Sequence, residues 1–175
     1  MIVLDIDVKI EQLFLIEEHL NELSELLIKV VEDGASIGFL PPMGKVDAEK
    51  YWETVLSPEV ILFVAKSNNQ IVGSVQLQLS TKQNGSHRAE IAKLMTHPNY
   101  RRNGIGRLLM QRAEEIAKQK DRSLLVLDTR EGDPSNKLYT SLGYIQAGRI
   151  PNYAKSENGE LAATIFYYKN NNQSS

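Results

Sequence analysis

The sequence predicts an α+β fold, a mixed α/β arrangement in which helices flank a mixed β-sheet with a central β-α-β crossover. Apolar residues recur every three or four positions over residues 8–31 and 104–120, which is the period of helices that pack on a core. The segments VILFVAK and IVGSVQLQL have the patterns of two neighbouring antiparallel strands. The apolar run SLLVLDT follows the second helical pattern, so a strand, a helix and a strand occur in succession.

The first half of the chain predicts helices followed by strands. Residues 8–31 indicate one long amphipathic helix, and Asp47 is a candidate cap for a second helix, AEKYWETVL. A polar turn, SNNQ, joins the first two strands, and RAEIAKLMT indicates a third strand. The helix over residues 104–120 then leads to SLLVLDT, which is short, apolar and bounded by charges, so we expect a strand that is buried on both faces.

The second half closes the predicted domain. A short helix around residues 134–142 ends at Gly143, and residues 144–148 and 162–169 indicate two more strands. Neither a linker nor an internal repeat divides the sequence. We therefore expect one domain over residues 1–169 and a disordered tail, NNNQSS, over residues 170–175.

Composition narrows the function classes. The 175 residues are 42% hydrophobic and 24% charged, which is typical of a globular protein, and the net charge of -2 argues against nucleic-acid binding. The absence of cysteine excludes disulfides, thiolate metal sites and a cysteine nucleophile, and His19, His87 and His97 lack metal-ligand spacing. No secretory signal or membrane span is visible, so we expect a cytoplasmic protein with neither a membrane nor a metal as partner.

The stretch HPNYRRNGIGRLLM is the strongest local signal. It connects a strand to a helix and contains two glycines and three arginines: Gly104, Gly106, Arg101, Arg102 and Arg107. A helix N-terminus already carries partial positive charge, so arginines there are unfavourable unless an anion is bound. Backbone N–H groups of residues 103–107 are uncrowded at the glycines and can converge on a diphosphate. The turn therefore indicates a diphosphate site.

Three other interpretations of this turn are possible. A dinucleotide-binding G-x-G-x-x-G motif, with Asp128 about 20 residues later, has Leu109 at its third glycine position and an unusually long spacer of residues 97–103. A P-loop requires Lys-Ser or Lys-Thr after the second glycine, which is missing. The glycines alone would also permit a tight turn with solvated arginines. Because the G-x-G-x-x-G match is imperfect but present, a nicotinamide-binding enzyme stays open as an alternative function.

The same residues resemble the GNAT superfamily of N-acetyltransferases. Arg101 or Arg102, with Gly104 and Gly106, matches the [QR]-x-x-G-x-[GA] element, preceded by EIAKLMT and His97-Pro98. The segment NKLYTSLGY resembles the family's N-x-x-x-x-[FY]-x-x-x-G-[FY] element in loosened form. GASIGFLPP, HRAEIAKLMTHP, LLVLDTREGD and LGYIQAGRIPNYA resemble the branch that includes the tabtoxin resistance protein, which acetylates an amino-acid-like β-lactam toxin.

The resemblance covers nearly the whole chain and implies a GNAT-type splayed sheet with acetyl-CoA as cosubstrate. Its turn would bind the diphosphate, and the splayed strand and the short helix would meet the pantetheine arm. The implied cosubstrate-binding residues are Leu94, Met95, Thr96, Arg101, Arg102, Asn103, Gly104, Ile105, Gly106, Arg107 and Asn136. The implied reaction is direct acetyl transfer to the amine of a small molecule, an amino-acid-like toxin or antibiotic among the candidates.

Acetyl transfer to an amine requires a base, a donor to the carbonyl oxygen and an acid for the thiolate. Glu90 and Asp128 lie on strands that the crossover makes neighbours, so both carboxylates can face one cleft. Two carboxylates that are close together, or close to a buried wall, raise the pKa of one of them towards that of a general base. Alternatively, Glu90 pairs with Arg88, Lys93 or another cation of the sheet, and Asp128 caps the following loop. The resemblance implies Glu90 and Asp128 as the acid-base pair, Tyr139 as the proton donor, and the Met95 N–H as the carbonyl donor.

Substrate specificity is expected in residues 34–42 and 149–153, two irregular segments that carry aromatic residues. Phe39, Tyr144 and Tyr153 are the predicted substrate walls, with plain packing as the alternative for each. His97 is expected to shape the turn, and a homodimer stays open. A non-catalytic, acetyl-CoA-responsive binding module is the main alternative function.

Overall fold

The computed structural model describes residues 7–171, which contain a seven-stranded sheet in the order β1-β2-β3-β4-β5-β7-β6. Neighbouring strands are antiparallel except β4 and β5, which are parallel. The mixed sheet with one β-α-β crossover confirms the predicted fold class. The elements are β1 Val8–Leu13, α1 Leu20–Glu32, α2 Lys45–Glu53, β2 Val60–Ser67, β3 Gln70–Leu79, β4 Arg88–Thr96, α3 Ile105–Gln119, β5 Leu124–Arg130, α4 Ser135–Ser141, β6 Ile145–Lys155 and β7 Leu161–Asn170.

The prediction of one long helix from residue 8 was wrong for its first part. Residues 8–13 form the edge strand β1, which pairs antiparallel with β2, and α1 begins only at Leu20. The pairing partners lie 49 to 59 residues away along the chain, so helical spacing in the sequence did not reveal them. Asp47 is also not a cap: Gly44 takes the N-cap position, and the Asp47 carboxylate lies in the first turn, where it still complements the helix dipole.

The sheet separates two apolar cores. The core on the α3 and α4 face is built around residues such as Phe63, Leu77, Leu109 and Leu125, and the core on the α1 and α2 face around Leu23, Leu27, Trp52 and Leu62. The prediction that β5 is buried on both faces was wrong. Leu125 and Leu127 are buried, whereas Asp128 is exposed, because one face of this strand end opens to a cleft.

The central feature of the sheet is that β4 and β5 separate. They pair only from Arg88 opposite Leu124 to Glu90 opposite Val126. A bulge in β4 follows, because Gln76 of β3 faces Ala92 whereas Ser74 faces Met95. Lys93 lies in the bulge with a positive φ of 56°. The strands therefore diverge at the residues that were predicted to meet a cosubstrate arm.

The end of the chain is more ordered than predicted. Residues 149–153 belong to β6, which carries a bulge, with Asn152 at a φ of 57°. Asn170 ends β7, and the buried Asn171 side chain donates a hydrogen bond to the Glu114 carbonyl over 3.0 Å. The predicted tail was thus wrong for these two residues, and residues 172–175 lie outside the described part. Over residues 7–171, no helix is long and apolar enough to cross a membrane.

Candidate active site

The turn before α3 presents free backbone donors. Gly104 is the N-cap residue, in the left-handed region at a φ of 75°. Within the described chain, no side chain caps this helix end and no acidic residue lies in its first turn. A Cβ added at Gly104 would meet no described atom within 4 Å. The site is therefore open to a ligand, and the N–H groups and dipole of α3 suit a diphosphate.

Side chains of the turn fold it from within. His97 Nδ1 accepts a hydrogen bond from the Asn99 backbone N–H over 3.1 Å, and its ring packs edge-on against Tyr100. The Asn103 amide donates to the carbonyl oxygens of Tyr100 and Arg101 over 2.9 and 3.0 Å. These contacts span at most three residues, so the shape of the turn is a local property. His97 shapes the turn, as expected.

The second motif glycine has a packing role. A Cβ at Gly106 would lie 3.2 Å from Leu138 Cδ2 and 3.8 Å from Leu94 Cδ2, so glycine lets α3 approach α4 and β4 closely. Ile105 is buried in the core, which leaves only its backbone for a ligand.

Two of the three arginines at the turn have protein partners. Arg101 forms an ion pair with Asp33, which follows α1, and Arg107 donates to Ser141 Oγ over 2.6 Å. Arg102 is exposed and has a positive φ of 64°. A bound diphosphate would therefore compete with Asp33 for Arg101.

Leu94, Met95 and Thr96 line the split between the strands. Met95 faces Ser74 and Thr96 faces Gly73 on the β3 side, whereas in the described sheet no β4 residue after Glu90 pairs with β5. Their backbone groups on the β5 side thus border the gap. The Met95 side chain itself is buried in the α1 and α2 core.

Glu90 and Asp128 lie on the same face of the sheet at the start of the split. Glu90 is opposite Val126, and Asp128 follows two residues later on the same side of β5. Both residues are exposed to solvent, but partial desolvation raises the pKa of both carboxyls; the Asp128 charge raises the pKa of Glu90 further, and the Lys93 charge lowers both pKa values. Among the described residues neither carboxylate forms an ion pair or a side-chain hydrogen bond. The geometry brings the two predicted residues together.

Tyr139 lies on α4, in the apolar core on the α3 and α4 face of the sheet. Its ring packs edge-on against Tyr144 and Tyr167 with centroid distances of 5.9 and 6.0 Å. Burial raises the pKa of the Tyr139 hydroxyl well above its usual value, and the charges of Asp128 and Asp133 raise it further. The phenol therefore keeps its proton at neutral pH and is available as a hydrogen-bond donor.

Asn136 has several protein partners. Its side-chain amide donates to the carbonyl oxygens of Arg130 and Asp133 over 2.8 and 2.9 Å, and its Oδ1 accepts from the Tyr167 hydroxyl over 2.7 Å. Three hydrogen bonds use most of the capacity of one amide. In the structure Asn136 joins the end of β5 to α4 and β7.

A cavity of about 210 Å³ is lined on one side by Arg130, which lies on β5 two residues after Asp128. Its walls are the loop after α1, the end of β5 and the hairpin between β6 and β7; they include Gly34, Phe39, Arg130, Lys155 and Glu157. A Cβ on Gly38, also in the wall, would lie 2.9 Å from Lys93 Nζ, which places Lys93 at the cavity edge.

The three predicted substrate aromatics have different positions. Phe39 lines the cavity. Tyr153 is about half exposed on β6, next to the cavity-lining Ala154, and packs edge-on against Phe166. Tyr144 is 3% exposed, and its hydroxyl donates to Glu114 over 3.1 Å. Tyr144 belongs to the α3 core, so its assignment to the substrate wall is corrected.

Sequence reasoning named Lys93 only as an alternative partner of Glu90 and did not single out Arg130, and it predicted no contact of either cation with the loop after α1. Lys93 Nζ donates to the Ile37 carbonyl over 2.6 Å, and Arg130 donates to the Gly34 carbonyl over 2.9 Å and to Asp133 Oδ1 over 3.0 Å. Both hold the loop after α1. Arg130 could have been found from its spacing of two after Asp128, which places both on one face of the strand. The contact of Lys93 with the loop could not have been found, since the direction of this side chain depends on the bulge.

Comparison with known proteins identifies the family. The model of the acetyltransferase (GNAT) family matches residues 33–144. An uncharacterized N-acetyltransferase from Azospirillum brasilense is 32% identical over 129 residues, which cover 71% of this chain and 77% of that protein. The chain therefore belongs to the acetyltransferase (GNAT) family and is an acyltransferase of a family that uses acetyl-CoA.

Solved structures show the same fold. An N-acetyltransferase from Staphylococcus aureus Mu50 superposes with a TM-score of 0.81 at 18% identity, covering 94% of this chain and 99% of that one. An acetyltransferase from Salmonella typhimurium, solved with its cofactor acetyl-CoA, superposes with a TM-score of 0.76 at 16% identity, covering 95% and 96%. Over residues 7–171, no group of three or more His, Asp or Glu side chains is arranged to hold a metal ion.

Proposed function

We propose that the protein transfers the acetyl group of acetyl-CoA directly to the amine of a small molecule that binds in the cavity beside Glu90 and Asp128. The observation that carries the proposal is the position of these two carboxylates. They lie where β4 and β5 separate, with the uncapped N-terminus of α3 after one strand and the cavity beside the other. A diphosphate site and an amine site thus share one split in the sheet.

The residues of the turn fit the cosubstrate. The open space at Gly104 and the free N–H groups at the start of α3 accept a diphosphate, and Arg102 adds an exposed positive charge. The backbone of residues 94–96 borders the gap that a pantetheine arm would enter. When bound, acetyl-CoA supplies the activated acetyl thioester. The sequence contains no cysteine to carry the acetyl group, which favours direct transfer.

The protein's own groups then have three roles. One of Glu90 and Asp128 accepts a proton from the substrate ammonium, directly or through water. The raised pKa of each carboxyl makes its carboxylate a stronger base than an ordinary one. The Met95 backbone N–H is the candidate donor to the acetyl carbonyl oxygen. As the amine nitrogen bonds to the acetyl carbon and the C–S bond breaks, the Tyr139 hydroxyl can donate its proton to the departing sulfur and regain one from the second proton that the nitrogen loses.

The direct test screens amines with the purified protein and acetyl-CoA. Amino acids, amino-acid amides, toxins of the β-lactam type, aminoglycosides, polyamines and peptide N-termini are incubated separately, and mass spectrometry detects the addition of one acetyl group. We expect a product with a small amino-acid-like amine, in line with the resemblance to the tabtoxin-resistance branch. Calorimetry with acetyl-CoA is the companion measurement. Binding without transfer to any amine would favour a binding module, and absence of binding would overturn the proposal.

A further inference from the structure

Lys93 occupies a junction between three parts of the proposed site. It lies in the β4 bulge, at the strained φ of 56°, on the strand that also carries Glu90. Its Nζ donates to the Ile37 carbonyl and lies 5.5 Å from the centroid of the Phe39 ring. One side chain therefore contacts the loop that walls the cavity and approaches the carboxylate pair.

Lys93 carries a positive charge among groups that are otherwise acidic or neutral. Glu90 on β4 and Asp128 on β5 both interact with its charge, and each raises the pKa of its ammonium against the effect of burial. The loop contributes a carbonyl and an aromatic ring. From α2, the Tyr51 hydroxyl accepts a hydrogen bond from Gln76 and stays neutral because burial raises its pKa.

The wider cavity is nearly neutral in charge. Arg130 is paired with Asp133, and Lys155 and Glu157 both line the wall. With Glu90, Asp128 and Lys93 added, the formal charge of the site is one negative unit. A ligand with one ammonium group balances that charge, whereas a ligand with several would need further carboxylates. Without Lys93 the same site would carry two negative units.

We propose that Lys93 is a positioning and specificity-determining residue. It holds the loop after α1 against the carboxylate pair, and its charge makes the site select amines with a single ammonium group over polycations. This inference rests on the proposed function. The hydrogen bond to Ile37 ties the loop to the edge of the split from the β4 side, while Arg130 ties Gly34 from the β5 side. The charge of Lys93 discourages a second ammonium group next to the first.

The positioning role is tested without any turnover. Hydrogen exchange of the backbone amides of residues 34–40 is compared in wild type, Lys93→Met and Lys93→Arg. Both variants keep an unbranched side chain at the positive φ, so backbone strain is matched. Loss of a charged hydrogen bond should speed exchange about tenfold in Lys93→Met, and Lys93→Arg should stay within about threefold of wild type. Equal exchange in wild type and Lys93→Met would overturn the positioning role.

The specificity role is tested with two probes, alaninamide with one ammonium group and spermidine with three. The ratio of kcat/KM for spermidine to that for alaninamide should rise about tenfold in Lys93→Met and stay unchanged in Lys93→Arg. An unchanged ratio in Lys93→Met would overturn this role. Wild-type protein that acetylates neither probe would count against the proposed function and this selectivity, while the exchange experiment still decides the positioning role.

The dependence of kcat/KM on pH distinguishes the effect of the Lys93 charge from the effect of its side-chain shape. Lys93 lowers the pKa of both carboxyls, so its removal leaves Glu90 and Asp128 protonated up to a higher pH. The acidic limb of kcat/KM should therefore move to higher pH in Lys93→Met and not in Lys93→Arg. A limb at the wild-type position in Lys93→Met would show that its charge does not reach the carboxylates and would overturn the specificity role.

Discussion

The turn before α3 and the loop after α1 face the two sides of the same site but are held in different ways. Contacts within the turn join residues at most three apart, such as Asn103 with Tyr100. The loop is held by side chains from distant strands: Lys93 reaches Ile37 over 56 positions of sequence, and Arg130 reaches Gly34 over 96. The proposed cosubstrate side is therefore a local structure, and the proposed acceptor side exists only in the folded protein.

The difference predicts that the two regions respond differently to changes elsewhere in the chain. A turn built from nearby residues keeps its shape when distant segments change. A loop held by two cations across the split changes whenever the strands beneath it change. The carboxylate pair is proposed to act between the two regions. Substitutions of the carboxylates should change turnover, substitutions in the turn should change acetyl-CoA binding, and substitutions that free the loop should change its position.

The largest effect is expected from the carboxylates between the two regions. The double variant Glu90→Gln with Asp128→Asn should lower kcat/KM by about 10²- to 10⁴-fold, the usual contribution of acid-base groups. The Kd of acetyl-CoA, measured by calorimetry, should stay within about twofold. Glu131→Gln is the matched control, since that exposed carboxylate pairs with Arg149 and should leave turnover unchanged. A double variant with wild-type turnover would remove both residues from the chemistry.

The next effect concerns Tyr139. Tyr139→Phe removes the buried hydroxyl and should lower kcat about 10- to 100-fold while the Kd of acetyl-CoA changes little. Tyr144→Phe is the control, because it removes a hydroxyl that binds Glu114 in the core. That control should lose about 1 kcal/mol of stability in thermal unfolding and keep its kcat. Equal kcat values in Tyr139→Phe and wild type would contradict the proton-donor role.

A smaller effect tests the local turn itself. Gly104→Ala should weaken acetyl-CoA binding about tenfold, because alanine resists the left-handed conformation and its methyl group enters the open space. Gly159→Ala, in the β6–β7 hairpin, also has a positive φ and open space, so it should cost similar stability without any change in Kd. Calorimetry and thermal unfolding measure the two quantities. The same loss of affinity in both variants would mean that strain alone acts.

The smallest effect concerns the ion pair that joins the two regions. Asp33→Asn frees Arg101 for the diphosphate and should tighten acetyl-CoA binding about two- to threefold, since exposed ion pairs contribute about 0.2–1 kcal/mol. Glu115→Gln, which breaks the exposed pair with Arg112, should change nothing. Weaker binding in Asp33→Asn would indicate that Asp33 orients Arg101 for the ligand instead of competing for it.

Much of the fold and the local site was predictable. The strands VILFVAK, IVGSVQLQL and RAEIAKLMT, and the helix α3, lie where period and turn residues indicated. Gly143 ends the segment after α4 with a positive φ of 92°, as expected. Residues 8–13 were missed because an edge strand takes its hydrogen bonds from a partner far along the chain. Tyr144 was misplaced because a buried phenol and a substrate-wall phenol look alike in sequence.

The sequence by itself determined the local form of the turn before α3, since glycine conformation, helix dipole and arginine charge all act within a few residues of one another. It also placed Glu90 and Asp128 on neighbouring strands, since a β-α-β crossover constrains where its strands lie. Only the tertiary structure decided the direction of Lys93, the pairing of Arg101 with Asp33 and the walls of the cavity. These depend on a strand bulge and on contacts between segments far apart in sequence, whose free energies arise only once the sheet has formed.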